Sequence, residues 1–131
     1  MIADSSAWIE FLRARRSVAA RRLDSALRAG EIVLMPDVVF QEVLQGARDI
    51  PHFVRLQQQL EEVRPFLPEA PRQTARHAAW LYARCRWEGI TLRSPNDCLI
   101  AACAVEADEP LLHADRDFER IASIEPRLRF A

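Results

Sequence analysis

Four places put acidic residues where the local pattern would otherwise favour apolar or neutral side chains. Asp4 ends the apolar segment Met1–Asp4. Glu42 interrupts Val38-Val39-Phe40-Gln41-Glu42-Val43-Leu44. Asp97 opens Asn96-Asp97-Cys98-Leu99-Ile100-Ala101-Ala102-Cys103-Ala104, and Asp115 and Asp117 flank Arg116 just before Phe118. Each also has an ordinary explanation. Asp97 and Asp115 suit an N-cap or a first helical turn, worth ~1 kcal/mol each, and Glu42 suits a solvated helix position. Asp4 fits such a reading less well, because a carboxylate ending a buried strand is costly unless it is paired or metal-bound. Carboxylates packed together repel, and their pKa values rise unless a cation neutralises them. A hard, oxygen-seeking ion such as Mg²⁺ is the natural partner. One or two such ions among carboxylates can activate a water and steady an in-line displacement at phosphorus.

Other chemistries find less support. His52, His77 and His113 are scattered; His113 lies close enough to Asp115 to touch a substrate, although packing is the plainer role. Cys85, Cys98 and Cys103 are odd in number and contain no CxxC pair, so core thiols are expected rather than disulfides or a zinc site. All 18 basic residues are arginine, which removes Schiff-base, P-loop and response-regulator chemistry. Only three glycines occur, Gly30, Gly46 and Gly89, so no glycine-rich phosphate loop can be written.

The acids need elements that bring them together. Alternating strand and helix signals provide these and point to an α/β fold with a short, mainly parallel sheet between helices. Met1–Asp4 reads as the first strand and Ser5–Arg13 as a helix with Trp8, Ile9 and Leu12 on one side. Ser17–Ala29 reads as a helix with the stripe Val18, Leu23 and Leu27, closed by Gly30. Ile32–Met35 is a buried strand, and Pro36 fits the first turn of a helix running to Arg48. His52–Arg64 carries a helical stripe of Phe53, Leu56, Leu60 and Val63. Pro65, Pro68 and Pro71 then interrupt the chain before a long helix over Arg72–Glu88, ended by Gly89. Asn96–Ala107 is a small-residue helix, Pro110–His113 a strand, Asp115–Ile121 a short helix and Leu128–Phe130 a possible last strand. Ligands of open α/β sheets sit beyond the carboxyl ends of the strands. Asp4 and Asp115 each follow a strand, so this topology predicts that they meet at that edge.

The chain has 131 residues, half of them hydrophobic, which is the size and composition of one ordinary domain, 1–131. No apolar run reaches the roughly 20 residues that span a bilayer, and the N-terminus lacks the basic region of a signal peptide. A soluble cytoplasmic protein with no membrane contact is expected. The net charge is −1, but setting five acids aside in one site leaves 14 acids against 18 arginines, a balance of +4. Arginine makes bidentate phosphate contacts, so an arginine-studded surface around an acidic hole suits a polyanion held by metals. A compositional preference for arginine explains the same count equally well.

Four segments taken in order carry a resemblance: Ile2-Ala3-Asp4-Ser5-Ser6-Ala7-Trp8-Ile9, Gln41-Glu42-Val43-Leu44-Gln45-Gly46, Asn96-Asp97-Cys98-Leu99-Ile100-Ala101-Ala102 and Leu111-Leu112-His113-Ala114-Asp115-Arg116-Asp117-Phe118. Over essentially its whole length the chain resembles the PIN-domain family, and within it the VapC-type toxins of bacterial VapBC pairs. The resemblance implies a Mg²⁺- or Mn²⁺-dependent endoribonuclease with Asp4, Glu42, Asp97 and Asp115 in the catalytic site and Asp117 as a fifth, more variable metal ligand. It implies that Ser6 supports the site by hydrogen bonding, with Asn96 beside Asp97 as a second supporting residue. It also implies a homodimer and a small antitoxin that blocks the site. The pair His113-Ala114 stands where the family often carries a threonine, a departure that bears on the hydrogen bonding around Asp115.

Several features stay open to two readings. Trp8, Phe11, Trp80, Tyr82 and Trp87 suit interfaces, while core packing serves Trp80 and Tyr82 equally well. Arg13-Ala14-Arg15-Arg16 and Arg21-Arg22 suit RNA phosphates or an acidic antitoxin stretch, and equally a solvated face. A housekeeping RNA-processing nuclease, or a PIN fold serving only as a binding module, would share the same acids. An aspartyl phosphotransferase is disfavoured, because Ser6 stands where it would need a second acid and lysine is absent.

Overall fold

A computed structural model describes residues 1–131. Its centre is a four-stranded sheet in the order β3-β2-β1-β4, formed by β1 (Ile2–Ala3), β2 (Leu34–Pro36), β3 (Arg64–Phe66) and β4 (Leu111–Leu112). Every pairing is parallel, with Ile2 opposite both Leu34 and Leu111, and Leu34 opposite Arg64. Seven helices flank the sheet: α1 (Ser5–Leu12), α2 (Val18–Arg28), α3 (Asp37–Leu44), α4 (Ile50–Glu61), α5 (Pro71–Trp87), α6 (Pro95–Glu106) and α7 (Asp117–Ala122). Parallel strands need crossovers, and here each is helical. Helix α1 packs on α2 and α3, while α5 packs on α6 and α7. The core between them is one cluster of apolar side chains that includes Ile2, Leu23, Val39, Leu60, Leu81, Ile100, Leu111, Phe118 and Ile121.

The sheet is small because its strands are only two or three residues long, yet β1 and β4 are wholly buried. This explains why they read as apolar runs without alternation. The expected helices are present, with shifted ends. Helix α3 stops at Leu44 instead of reaching Arg48, and Pro36 closes β2 and caps α3 instead of lying in its first turn. Helix α4 starts at Ile50, where the Asp49 carboxylate accepts the His52 N–H.

Two expected stripes are corrected. Val18 is 77% exposed and Leu27 borders solvent; the buried face of α2 is Ala19, Ala20, Leu23 and Ala26, because small residues let the helix approach the core closely. On α4, Phe53 points to solvent and only Leu56 and Leu60 are buried. Strand β3 was not expected, since Pro65 lies within it. It is an edge strand, where a residue without an N–H is tolerated. The expected last strand is reduced to one parallel bridge between Phe130 and Leu111. Cys85, Cys98 and Cys103 are free and buried. No helix is long and apolar enough to cross a membrane.

Candidate active site

The carboxyl ends of β1 and β4 fix the first two acids. Asp4 follows β1, and its backbone N–H donates to the Leu112 carbonyl at 2.9 Å, so the chain beyond β1 lies against the chain beyond β4. Its side chain caps α1 by accepting the Ala7 N–H at 2.9 Å. The Ser6 hydroxyl lies 2.8 and 2.7 Å from the two Asp4 oxygens and also accepts the Ala114 N–H at 2.9 Å. Ser6 thus ties the first acid to the loop that carries Asp115. Asp4 is 3% exposed. Burial pushes its carboxyl up to about 6, despite the hydrogen bonds from Ala7 and Ser6 that oppose the rise, and the Asp115 charge adds to it.

Asp97 sits in the first turn of α6. The cap of that helix is Ser94, whose hydroxyl accepts the Asn96 N–H at 3.2 Å, so Asp97 is not needed as a cap. It is buried, and its carboxyl is pushed up to about 7, first by desolvation and then by the charges of Asp115, Asp4, Glu42 and Asp117. Asp97 is therefore the hub that feels all the other acids. Glu42, half-buried on α3, accepts the Ser5 hydroxyl at 2.7 Å.

Asp115 and Asp117 are held differently. The Asp117 N–H donates to Asp115 Oδ1 at 3.0 Å. The Arg93 backbone N–H and Nε both donate to Asp117 Oδ2, at 3.2 and 3.3 Å, and Arg93 Nη2 pairs with Asp115 Oδ1. Arg120 Nη1 lies 3.6 Å from Asp117 Oδ1. Burial alone would push the Asp117 carboxyl up; Arg93 and Arg120 outweigh it and hold the group below its ordinary value. His113 packs against Phe118 and Phe130 and uses Nδ1 to accept the Asp115 N–H at 3.2 Å. Burial lowers its pKa, which favours the neutral ring that can accept that bond. The imidazole thus supplies an acceptor where the family often has threonine.

Oxygens of Asp97, Asp115 and Asp117 lie within 4.8 Å of one another, close enough to share one cation. Asp4 and Glu42 stand outside that trio but near enough for their charges to raise Asp97. Asn96, expected beside them, lies instead along a shallow groove with Ala79, Tyr82 and Leu99, and its side chain makes no hydrogen bond to an acid. Ser5, Arg93 and Arg120 were not singled out in the sequence. Ser5 had a faint signal in its place beside Asp4, whereas Arg93 is one arginine among 18. The aromatics divide between two environments: Trp8 is buried with Phe11 against it, while Trp80 and Trp87 are more than half exposed, which removes the core role for Trp80.

The donor set suits a hard divalent ion: all-oxygen, anionic, largely buried, and with two members, Asp4 and Asp97, raised to about 6 and about 7 by burial and neighbouring acids. Asp97, Asp115 and Asp117 would hold such an ion, with Asp4 and Glu42 beside them. The ion would supply a water of lowered pKa and positive charge facing a phosphate. The chain's own residues do the rest. Ser6 fixes the Asp4 rotamer, Ser5 orients Glu42, and His113 and Arg93 orient Asp115.

An acid cluster at the carboxyl edge of a short parallel sheet, fed by β1, α3, α6 and the β4–α7 loop, defines a carboxylate-based phosphoryl-transfer class of α/β protein. The chain belongs to the PIN-domain family: the family's profile, described as PIN domain, matches residues 1–124. Ribonuclease VapC11 of Mycobacterium tuberculosis and VapC ribonuclease Mb1587 of Mycobacterium bovis are each 38% identical to it over 127 residues, covering 95% of this chain and 92% of theirs. Among solved structures the fold is similar to VapBC-1 from nontypeable Haemophilus influenzae, with a TM-score of 0.74 and 21% identity over 99% of this chain and 95% of that one. It is also similar to VapBC2 from Rickettsia felis bound to a DNA fragment from their promoter, with a TM-score of 0.70 and 16% identity over 99% and 96%.

Proposed function

We propose that residues 1–131 form a single-domain, Mg²⁺-dependent endoribonuclease of the cytoplasm, the toxin half of a toxin–antitoxin pair, with Mn²⁺ able to replace Mg²⁺. The observation that carries this reading is the convergence of Asp97, Asp115 and Asp117, whose oxygens lie within 4.8 Å of one another, on a buried Asp97 raised to about 7 by burial and four neighbouring acids, a charge that a bound cation would offset. Asp4, Glu42, Asp97 and Asp115 form the catalytic set and Asp117 extends it. Ser5 and Ser6 position two of them. The naming of the relatives as ribonucleases supports RNA as the substrate. A homodimer and a small antitoxin partner follow from the VapC reading, and an arginine from that partner would neutralise the pocket by replacing the metal's charge.

Purified chain and labelled RNA test this. Cleavage is expected with Mg²⁺, and none with chelator or in Asp97→Asn. Metal binding without cleavage of any RNA would leave a PIN-fold binding module instead. Co-expression with the product of an adjacent small gene should restore growth and give a stable complex. A neighbour that neither binds nor rescues would favour housekeeping RNA processing.

A further inference from the structure

Arg93 lies in the loop between α5 and α6, with its side chain 71% exposed, yet it makes three separate contacts to two of the acids. These contacts differ in kind. The backbone N–H and Nε both hold Asp117 Oδ2, deep in the fold, where Asp117 is 2% exposed and Arg120 supplies a second positive charge. The terminal Nη2 reaches outward to Asp115, whose carboxylate is 21% exposed. Nη1 has no partner. The stem of Arg93 is therefore anchored on Asp117, while its terminal fork faces solvent beside the acids that would hold metal. A guanidinium presents five donors in a fixed fork that matches phosphate oxygens.

Building on the nuclease reading, we infer that Arg93 is the phosphate clamp of this site, held through Nη2 on Asp115 until metal and phosphate bind. Asp115 forms an ion pair with a single cationic side chain. In the free chain that partner is the singly charged Nη2 of Arg93. Asp115 would exchange Nη2 for a divalent ion of higher charge, shared with Asp97, and Nη2 would then be free. Asp117 still grips the Arg93 backbone N–H and Nε, so the freed fork stays beside the cluster and pairs with an oxygen of a phosphate brought there. The same arginine thus opposes metal binding in the free chain and assists substrate binding in the loaded one. A purely structural arginine would aid both or neither.

Arg93→Gln separates these roles. It keeps the backbone N–H on Asp117, and Arg120 remains to neutralise that acid, so the fold is expected to stand. Mn²⁺ titrated into the RNA-free variant, followed by calorimetry or by the loss of the free-ion paramagnetic resonance signal, should bind about two- to fivefold tighter than in wild type, the size of one partly exposed ion pair. Cleavage of RNA in saturating Mg²⁺ should drop by about 10- to 100-fold in kcat/KM, the size of one or two charge-assisted hydrogen bonds. Arg93→Lys keeps the charge without the fork: Mn²⁺ affinity should stay near wild type while cleavage falls, and this pair of readings decides the matter if Arg93→Gln does not fold. Wild type that cuts RNA, together with an Arg93→Gln variant that binds Mn²⁺ no tighter or cuts as fast, would overturn the assignment of Arg93 alone. Wild type that cuts no RNA would overturn the nuclease reading and the clamp with it.

Discussion

Two buried carboxylate clusters in this fold are treated in opposite ways. Glu125, just after α7, is 7% exposed and fully matched: Arg127 donates to both its oxygens at 2.9 Å, and His77 Nε2 lies 3.0 Å from Oε2. The Arg127 guanidinium holds its carboxyl down to about 2, against the opposing effect of burial. Asp4 and Asp97 are buried to a similar degree, but their neighbours are hydroxyls, one N–H and other acids, and they rise to about 6 and about 7. Asp117, gripped by Arg93 and Arg120, is held below its ordinary value as Glu125 is, although its oxygens lie within 4.8 Å of those of Asp97 and Asp115. Glu125, which the chain itself neutralises outside the acid cluster, is part of the scaffold. A buried acid that the chain leaves raised is waiting for something positive from outside.

That contrast assigns opposite phenotypes to the two clusters. Asp97→Asn should abolish Mg²⁺-dependent RNA cleavage, by on the order of 10³-fold or more, the scale of losing metal-borne charge stabilisation. Its metal-free melting temperature should equal or exceed that of wild type, because the substitution removes one of several mutually repelling charges. The Mg²⁺-induced rise in melting temperature seen in wild type should vanish. A large loss of metal-free stability would place Asp97 with Glu125, as scaffold.

Ser6→Ala should show the intermediate effect. Its hydroxyl holds both Asp4 oxygens and takes the Ala114 N–H. Groups that orient metal ligands are typically worth about 10- to 100-fold in affinity or activity, so Mn²⁺ affinity and cleavage rate should fall together by that factor. An unchanged Mn²⁺ affinity would show that Asp4 holds its place without the serine.

At the other cluster, Arg127→Ala should leave cleavage unchanged and lower stability by about 2 kcal/mol, the cost of stranding a buried acceptor. Urea unfolding and an RNA cleavage assay on the same sample read both. A loss of cleavage with normal stability would contradict the scaffold role.

The two clusters also titrate in opposite directions. Asp4 and Asp97 keep protons in the folded state up to about 6 and about 7, whereas their ordinary value is 3.8. Between those limits the folded chain binds more protons than the unfolded one, so their contribution to stability declines as pH rises. Glu125, at about 2 against 4.5, contributes stability that is present above 4.5 and is lost as pH falls towards 2. The metal-free melting temperature should therefore peak near ~pH 4 and decline on both sides. Asp97→Asn should flatten the side above the peak and leave the acid side alone. A wild-type melting temperature that climbs steadily from pH 5 to 7.5 would contradict the raised values of the acid site.

Legibility in the sequence followed the same division. Asp4, Glu42, Asp97 and Asp115 stood out because each breaks an apolar pattern, and strands β1, β2 and β4 stood out because buried parallel strands are continuous apolar runs. Asp4 and Asp115 lie at the carboxyl edge of the sheet, where each follows a strand, while Glu42 and Asp97 are carried by α3 and α6. Strand β3 was hidden, because an edge strand can hold Pro65 and expose Arg64, so neither alternation nor burial marks it. The α2 stripe was misread because alanines, not Val18 and Leu27, make its contact with the core. Arg93 with Asp117 and His77 with Glu125 are separated by 24 and 48 residues. Pairings at such distances depend on tertiary geometry and leave no local period to detect.

The nature of the cut follows from the same acids. A metal held by these acids would supply an activated water at phosphorus with the sugar 3′-oxygen as leaving group, so the expected products carry a 5′-phosphate and a 3′-hydroxyl. A histidine-type ribonuclease uses the substrate's own 2′-hydroxyl instead and leaves a cyclic phosphate. His52 and His77 lie outside the acid cluster, and His113 is engaged with Asp115 and two phenylalanines. The decisive measurement uses an RNA with one 2′-deoxy nucleotide at the cleavage position, assayed with and without EDTA. Cleavage should persist on the deoxy substrate, slowed at most through lost recognition, and should stop with chelator. Cleavage that resists EDTA and fails on the deoxy substrate would contradict the metal-based mechanism and the roles given to Asp4, Glu42, Asp97 and Asp115.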